Sequence, residues 1–167
     1  MNIFYLHNDA KVAAQMHCDK HCVKMILETA QLLSTAHREM TNNEYADKTG
    51  LYKSTHKNHP SAVWVRKSRD NYQWAYSLLV ALCEEYTLRY GKIHKTQRSG
   101  IVKALKNAPH FMPFKSISTF TEPPQCMPEE YKCEHPVDAY RKYYLGEKMR
   151  FAVWNHGNTP EWVLKAA

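Results

Sequence analysis

His17-Cys18-Asp19-Lys20-His21-Cys22-Val23-Lys24-Met25-Ile26-Leu27-Glu28-Thr29-Ala30-Gln31-Leu32-Leu33-Ser34-Thr35 is the stretch that decides the fold. At about 100° per residue, His17, His21, Lys24, Glu28, Gln31 and Thr35 fall within roughly 40° of one line. Cys22, Ile26, Ala30 and Leu33 lie on the opposite face, and Val23, Met25, Leu27 and Leu32 fill both flanks. A surface helix has the opposite proportions, a broad polar face and a narrower apolar one. The pattern predicts a largely buried helix with one thin polar stripe, capped at Asp19 and running to about Arg38. A buried charge left unpaired costs several kcal/mol. Either Lys24 and Glu28 form an i,i+4 pair, or the stripe lines a ligand pocket.

Outward from this helix the pattern stays helical. Asn8 and Asp9 are suited to cap a short helix through Met16. Thr41 to Lys57 is polar and reads as a loop. Pro60 stands where a first helical turn starts, and Asp70 opens the strongest helix, Asn71 to Tyr90, stopped by Gly91. Further helical patterns cover about Ser99 to Lys106, Val137 to Lys148, and a last turn from Glu161 to Lys165. Ile3-Phe4-Tyr5-Leu6 reads as a short extended arm. Residues 109–136 hold six prolines and little periodicity, so they form an irregular loop or lid. The expectation is one compact all-α domain over residues 1–167.

Composition narrows the function. The 167 residues include 23 Lys plus Arg against 16 Asp plus Glu, a net charge of +7. That balance favours a polyanionic partner, nucleic acid or a nucleotide. With five glycines and neither a G-x-x-x-x-G-K nor a G-x-G-x-x-G motif, no glycine-rich phosphate loop is present. No apolar run approaches the roughly 20 residues that cross a bilayer, and the start lacks a signal peptide's charged and apolar regions. Five cysteines without an export signal are expected to be reduced thiols of a cytoplasmic protein.

Three further groups carry chemistry. His17, Cys18, His21 and Cys22 have the spacing of metal ligands, but the His pair and the Cys pair point about 100° apart on a straight helix. Buried thiols fit better than zinc, and no metal or other cofactor is expected. Lys57, Asn58 and His59 precede the Pro60 helix start, a place where backbone N–H groups bind anions; Arg66 and Arg69 follow, with Trp64 and Tyr72 as aromatic neighbours. Tyr72, Trp74, Tyr76, Leu79, Cys83, Tyr86 and Tyr90 recur at helical spacing, more a core stripe than a stacking platform. His94, Lys95, Arg98, Lys103 and Lys106 form weaker basic patches.

Asp19-Lys20-His21, Glu28 and Gln31, followed by Asn58-His59-Pro60 and Trp64, resemble the bacteriophage-type pyrimidine-dimer DNA glycosylases, the endonuclease V group, and their small relatives. The resemblance covers roughly the first half of the chain. It implies an all-α fold and a chemistry in which the N-terminal α-amine attacks a sugar carbon of the damaged nucleotide. A helix glutamate handles protons and basic residues hold phosphates. By position Glu28 matches that glutamate and His21 a histidine of the same region, the two candidate catalytic residues. His17, Lys20, Lys24, Gln31, Lys57, Asn58, His59, Trp64, Arg66, Arg69 and Tyr72 are the candidate ligand and phosphate contacts, around a pocket between the arm, the Asp19 helix and the His59-Pro60 turn. The family exposes a small residue behind its initiator Met, whereas Asn2 stands here and disfavours Met1 removal.

Two functions follow. One is a DNA glycosylase and abasic-site lyase of the repair type. The other is a non-catalytic phage protein that sequesters a small nucleotide immune signal in the same pocket. Either is expected as a monomer or homodimer, without a membrane partner, in the cytoplasm of an infected bacterial cell.

Overall fold

A computed structural model describes residues 2–110, 112 and 119–166. They form an all-α architecture, and no strand occurs among them. The helices are α1 (Ala10–Met16), α2 (Asp19–Met40), α3 (Glu44–Lys48), α4 (Pro60–Lys67), α5 (Arg69–Tyr90), α6 (Lys95–Arg98), α7 (Ile101–Ala104), α8 (Pro136–Tyr143) and α9 (Glu161–Leu164). A single 3₁₀ turn, Glu129–Tyr131, interrupts the Pro-rich segment, and a π-turn, Tyr144–Lys148, prolongs α8.

The long helices α2 and α5 pack along each other, with α1 against α5 and α4 against both. Met25, Ile26, Ala30, Leu32 and Leu33 of α2 are buried together with Ala75, Leu78, Leu79 and Leu82 of α5. Each large aliphatic side chain removed from water there contributes about 1.5–3 kcal/mol. The arm Ile3–Leu6 is buried beside them. Arg141 Nε donates to Leu6 O (3.0 Å) and Trp74 Nε1 to Asn8 O (2.7 Å), so the arm is tied to α8 and α5.

The local chemistry sets the boundaries. Asp9 accepts from the Val12 N–H and caps α1. Gly91 ends α5 with φ +63°, the left-handed conformation that a glycine adopts without penalty. Asp19 does not cap α2: the cap position is Cys18, and Asp19 lies in the first turn. Its carboxylate instead accepts from the buried Arg89 guanidinium (3.3 Å) and the His156 N–H (3.2 Å). Likewise Ser68, not Asp70, caps α5, accepting from the Asn71 N–H, and α5 starts two residues before the expected Asn71. The helices α3 and α6 were not expected; each is under two turns long, too short to set up a periodic pattern. The helix expected over Ser99 to Lys106 is only the four residues of α7. Within the expected lid over 109–136, residues 111 and 113–118 lie outside the described residues; the remainder is irregular apart from the 3₁₀ turn and Pro136, which starts α8.

Candidate functional site

The polar stripe on α2 is split by its surroundings. His17 is not on α2 at all. It caps the C-terminus of α1 with ψ 134°, and Cys18 follows with ψ 163°. This break turns the chain before α2 starts, so the helical count from His17 does not apply. His17 is fully buried, with Nδ1 2.7 Å from Ala13 O. Burial is the first cause that lowers its pKa to about 4. The expected phosphate contact at His17 is thus a neutral core group.

His21 faces an aromatic cluster. It stacks on Phe4 (4.4 Å between ring centres) and meets Tyr144 and Phe151 edge-on. Tyr144 accepts the Cys18 N–H (3.0 Å), and its hydroxyl lies 2.7 Å from His21 Nδ1. Burial, followed by the charges of His17, Lys148, Lys24 and Lys20, lowers its pKa to about 3. Held neutral inside the ring cluster, His21 secures the start of α2.

Glu28 stands in different surroundings. Its Oε2 accepts from the backbone nitrogen of Asn2 at 3.2 Å, and its Oε1 lies 3.2 Å from Lys24 Nζ. The carboxylate side chain is 15% exposed and Lys24 60% exposed. Of the two readings of the Lys24–Glu28 spacing, the i,i+4 pair forms, and the same carboxylate also reaches the Asn2 nitrogen. The Asn2 side chain is held as well. Its Nδ2 donates to Cys126 O (2.9 Å), and its Oδ1 accepts from the Ile3 N–H (2.8 Å) and the Tyr140 hydroxyl (2.8 Å). Asn2, Cys126 and Tyr140 were not candidates in the sequence. Their partners lie more than a hundred residues away in the chain, and no local pattern encodes such a contact.

The His59-Pro60 turn lacks the anion cradle expected of it. Pro60 has no N–H. The Ser61 N–H goes to His59 Nδ1 (3.2 Å), and those of Ala62 and Val63 go to His59 O. The helix start consumes its own donors, so no free backbone N–H cluster remains for a phosphate. Burial keeps the His59 pKa below the ordinary histidine value. Lys57 lies 3.7 Å from Glu39, and Asn58 is exposed. Arg66 donates to Lys57 O and closes the turn.

The remaining candidates divide between core and surface. Trp64 and Tyr72 are buried: the Trp64 indole donates to Thr121 O and the Tyr72 hydroxyl to Leu105 O. Arg69 donates to the carbonyls of His110 and Met112. Lys20 is exposed, 4.7 Å above the Phe151 ring, and Gln31 is half-buried. Cavities of about 310, 340, 490 and 500 Å³ lie elsewhere, and none of these four is lined by Asn2, Lys24 or Glu28. The pocket expected between arm, helix and turn is not among these four. The cavity of about 500 Å³ is a basic groove, with Lys92, His94, Lys95 and Arg98 beside Val23, Tyr86 and Ile93. Cys18, Cys22 and Cys83 are buried free thiols, and no group of three or more metal-ligating side chains occurs among the described residues. No described helix is long and apolar enough to cross a membrane.

No curated protein and no solved structure gives a significant match. The family model for pyrimidine dimer DNA glycosylases matches residues 1–98, more than half of the 167-residue chain. That span contains the arm with Asn2, the whole of α2 with Glu28, and the Asn58-His59-Pro60 turn. By this match the chain belongs to the pyrimidine dimer DNA glycosylase family, whose function is of the DNA-repair glycosylase type.

Proposed function

We propose that the chain is a DNA glycosylase and abasic-site lyase whose nucleophile is the nitrogen of residue 2, freed as an α-amine when Met1 is removed. The observation that carries this is the 3.2 Å contact between the Asn2 nitrogen and Glu28 Oε2. An amide nitrogen is not a nucleophile, but an amine at the same place has a carboxylate in reach to receive its proton. The neutral amine attacks C1′ of the damaged nucleotide; the N–C1′ bond forms as the glycosyl bond breaks, and the base leaves with the electron pair and a proton. The sugar ring then opens, O4′ taking a proton, to give an imine. Loss of a C2′ proton breaks the C3′–O bond and expels the phosphate, and water releases the amine. Glu28 stabilises the developing sugar cation and relays the protons. Extruding the damaged nucleotide brings C1′ to the amine, and Lys20, Lys24 and Gln31 on the exposed side of α2 contact the strand. The net charge of +7 supports a DNA partner.

The test is reductive trapping. Borohydride reduces the imine to a stable amine, so the chain becomes covalently joined to abasic DNA, and mass spectrometry of the digested adduct locates the link at residue 2. An intact Met1 together with no adduct overturns the reading and favours the sequestering protein instead.

A further inference from the structure

Resting on the glycosylase reading, we propose that the Asn2 side chain is a positioning residue and that Cys126 and Tyr140 complete the site by clamping it. Both clamp residues lie beyond the family-matched residues 1–98. The clamp has two jaws. The Cys126 carbonyl accepts from Asn2 Nδ2 at 2.9 Å, and the Tyr140 hydroxyl reaches Asn2 Oδ1 at 2.8 Å. Each jaw is anchored in turn. Tyr140 is fully buried, its hydroxyl is 2.7 Å from Pro124 O, and it accepts the Cys126 N–H at 3.3 Å. Burial raises the Tyr140 pKa, so the hydroxyl keeps the proton that it shares between Pro124 O and Asn2 Oδ1. Cys126 Sγ lies 3.5 Å from Ser61 Oγ, which ties this segment to the first turn of α4.

A carboxamide fits this slot because it has a donor for one jaw and an acceptor for the other. Asp lacks the donor, and Ala lacks both groups. Ile3 is fully buried next in the chain, and its N–H also binds Asn2 Oδ1. With both ends of the side chain and the following residue fixed, the Asn2 nitrogen is left with one direction, toward Glu28. This gives a physical reason for Asn at a position where the resemblance implies a small residue: the α8 side of the molecule recognises the side chain.

The experiment uses full chains whose start at residue 2 is verified by mass. On the small-residue rule, Asn2→Ala is harmless. On the clamp it slows imine formation at saturating abasic DNA by about tenfold or more, with KM changed less than about twofold, because only the placement of the amine is lost. A second readout needs no activity: the pKa of the residue-2 amine, followed by NMR on asparagine-labelled chain. Glu28→Gln lowers that pKa in the parent chain, and in a Tyr140→Phe background the shift shrinks by at least half. Asn2→Ala trapping as fast as the parent, or an equal Glu28→Gln shift in both backgrounds, overturns the clamp. If no chain traps abasic DNA, the glycosylase reading fails and the NMR coupling alone decides the clamp.

Discussion

The backbone nitrogen of Asn2 and the carboxylate of Glu28 meet at 3.2 Å although 26 positions separate them in the chain. That contact joins the arm to the middle of α2, and it dictates what Glu28→Gln does. The amide fills the same space but accepts no proton, so imine formation and strand cleavage are expected to fall by about a hundredfold or more, within the range of lost acid–base catalysis. Binding of abasic DNA changes little. Single-turnover cleavage and a binding titration, run on the same preparation, check the pair of outcomes. Equal losses in both count against a proton-handling role.

Lys24 holds the other carboxylate oxygen of Glu28 at 3.2 Å. Lys24→Met removes this ion pair and a cation that faces the strand, so binding of abasic DNA is expected to weaken several-fold and to fall less steeply with salt. Stability changes by less than about 1 kcal/mol, since a pair with one solvent-exposed partner contributes little. An unchanged salt slope means that Lys24 contacts no phosphate.

The α2 helix was legible because its apolar positions repeat at helical spacing over several turns, and Glu28 was legible because it sits on that helix. What no periodicity marks was missed. The break at His17 and Cys18 contains neither Gly nor Pro, so the two histidines looked like neighbours on one stripe although His17 belongs to the end of α1. The His59-Pro60 turn has the residues of an anion site, but His59 satisfies the donors itself through its ring and its carbonyl. Asn2, Cys126 and Tyr140 come together only through tertiary packing.

Gly157 is held to glycine by Arg89. A Cβ built on it would stand 2.6 Å from the Arg89 Cζ. The guanidinium has no room to yield, because it donates to Glu85, Asp19, His17 O and Gln15 O. Gly157→Ala is expected to cost about 1–3 kcal/mol by overpacking and broken hydrogen bonds. Denaturant unfolding measures it. A change under about 0.5 kcal/mol would show that the segment carrying Gly157 moves aside freely.

Stability should fall with acid in a window set by the buried histidines. Folded His17 and His21 have pKa values lowered to about 4 and about 3, from an ordinary 6.5, with burial the first cause for both. Above 6.5 both are neutral in either state and nothing is lost. As pH falls through 6.5, the unfolded chain takes up protons that the folded chain refuses, so unfolding is favoured. Each histidine then removes up to about 1.4 kcal/mol per pH unit until its folded pKa is reached. The loss must come with proton uptake on unfolding, which is measurable as a buffer-dependent heat in calorimetry at pH 5. The melting temperature is expected to drop steadily from pH 7 to pH 5. A melting temperature flat between pH 7 and pH 5, with no proton uptake, would mean that His17 and His21 ionise freely in the folded chain, and the ring cluster at the start of α2 would then be open to water.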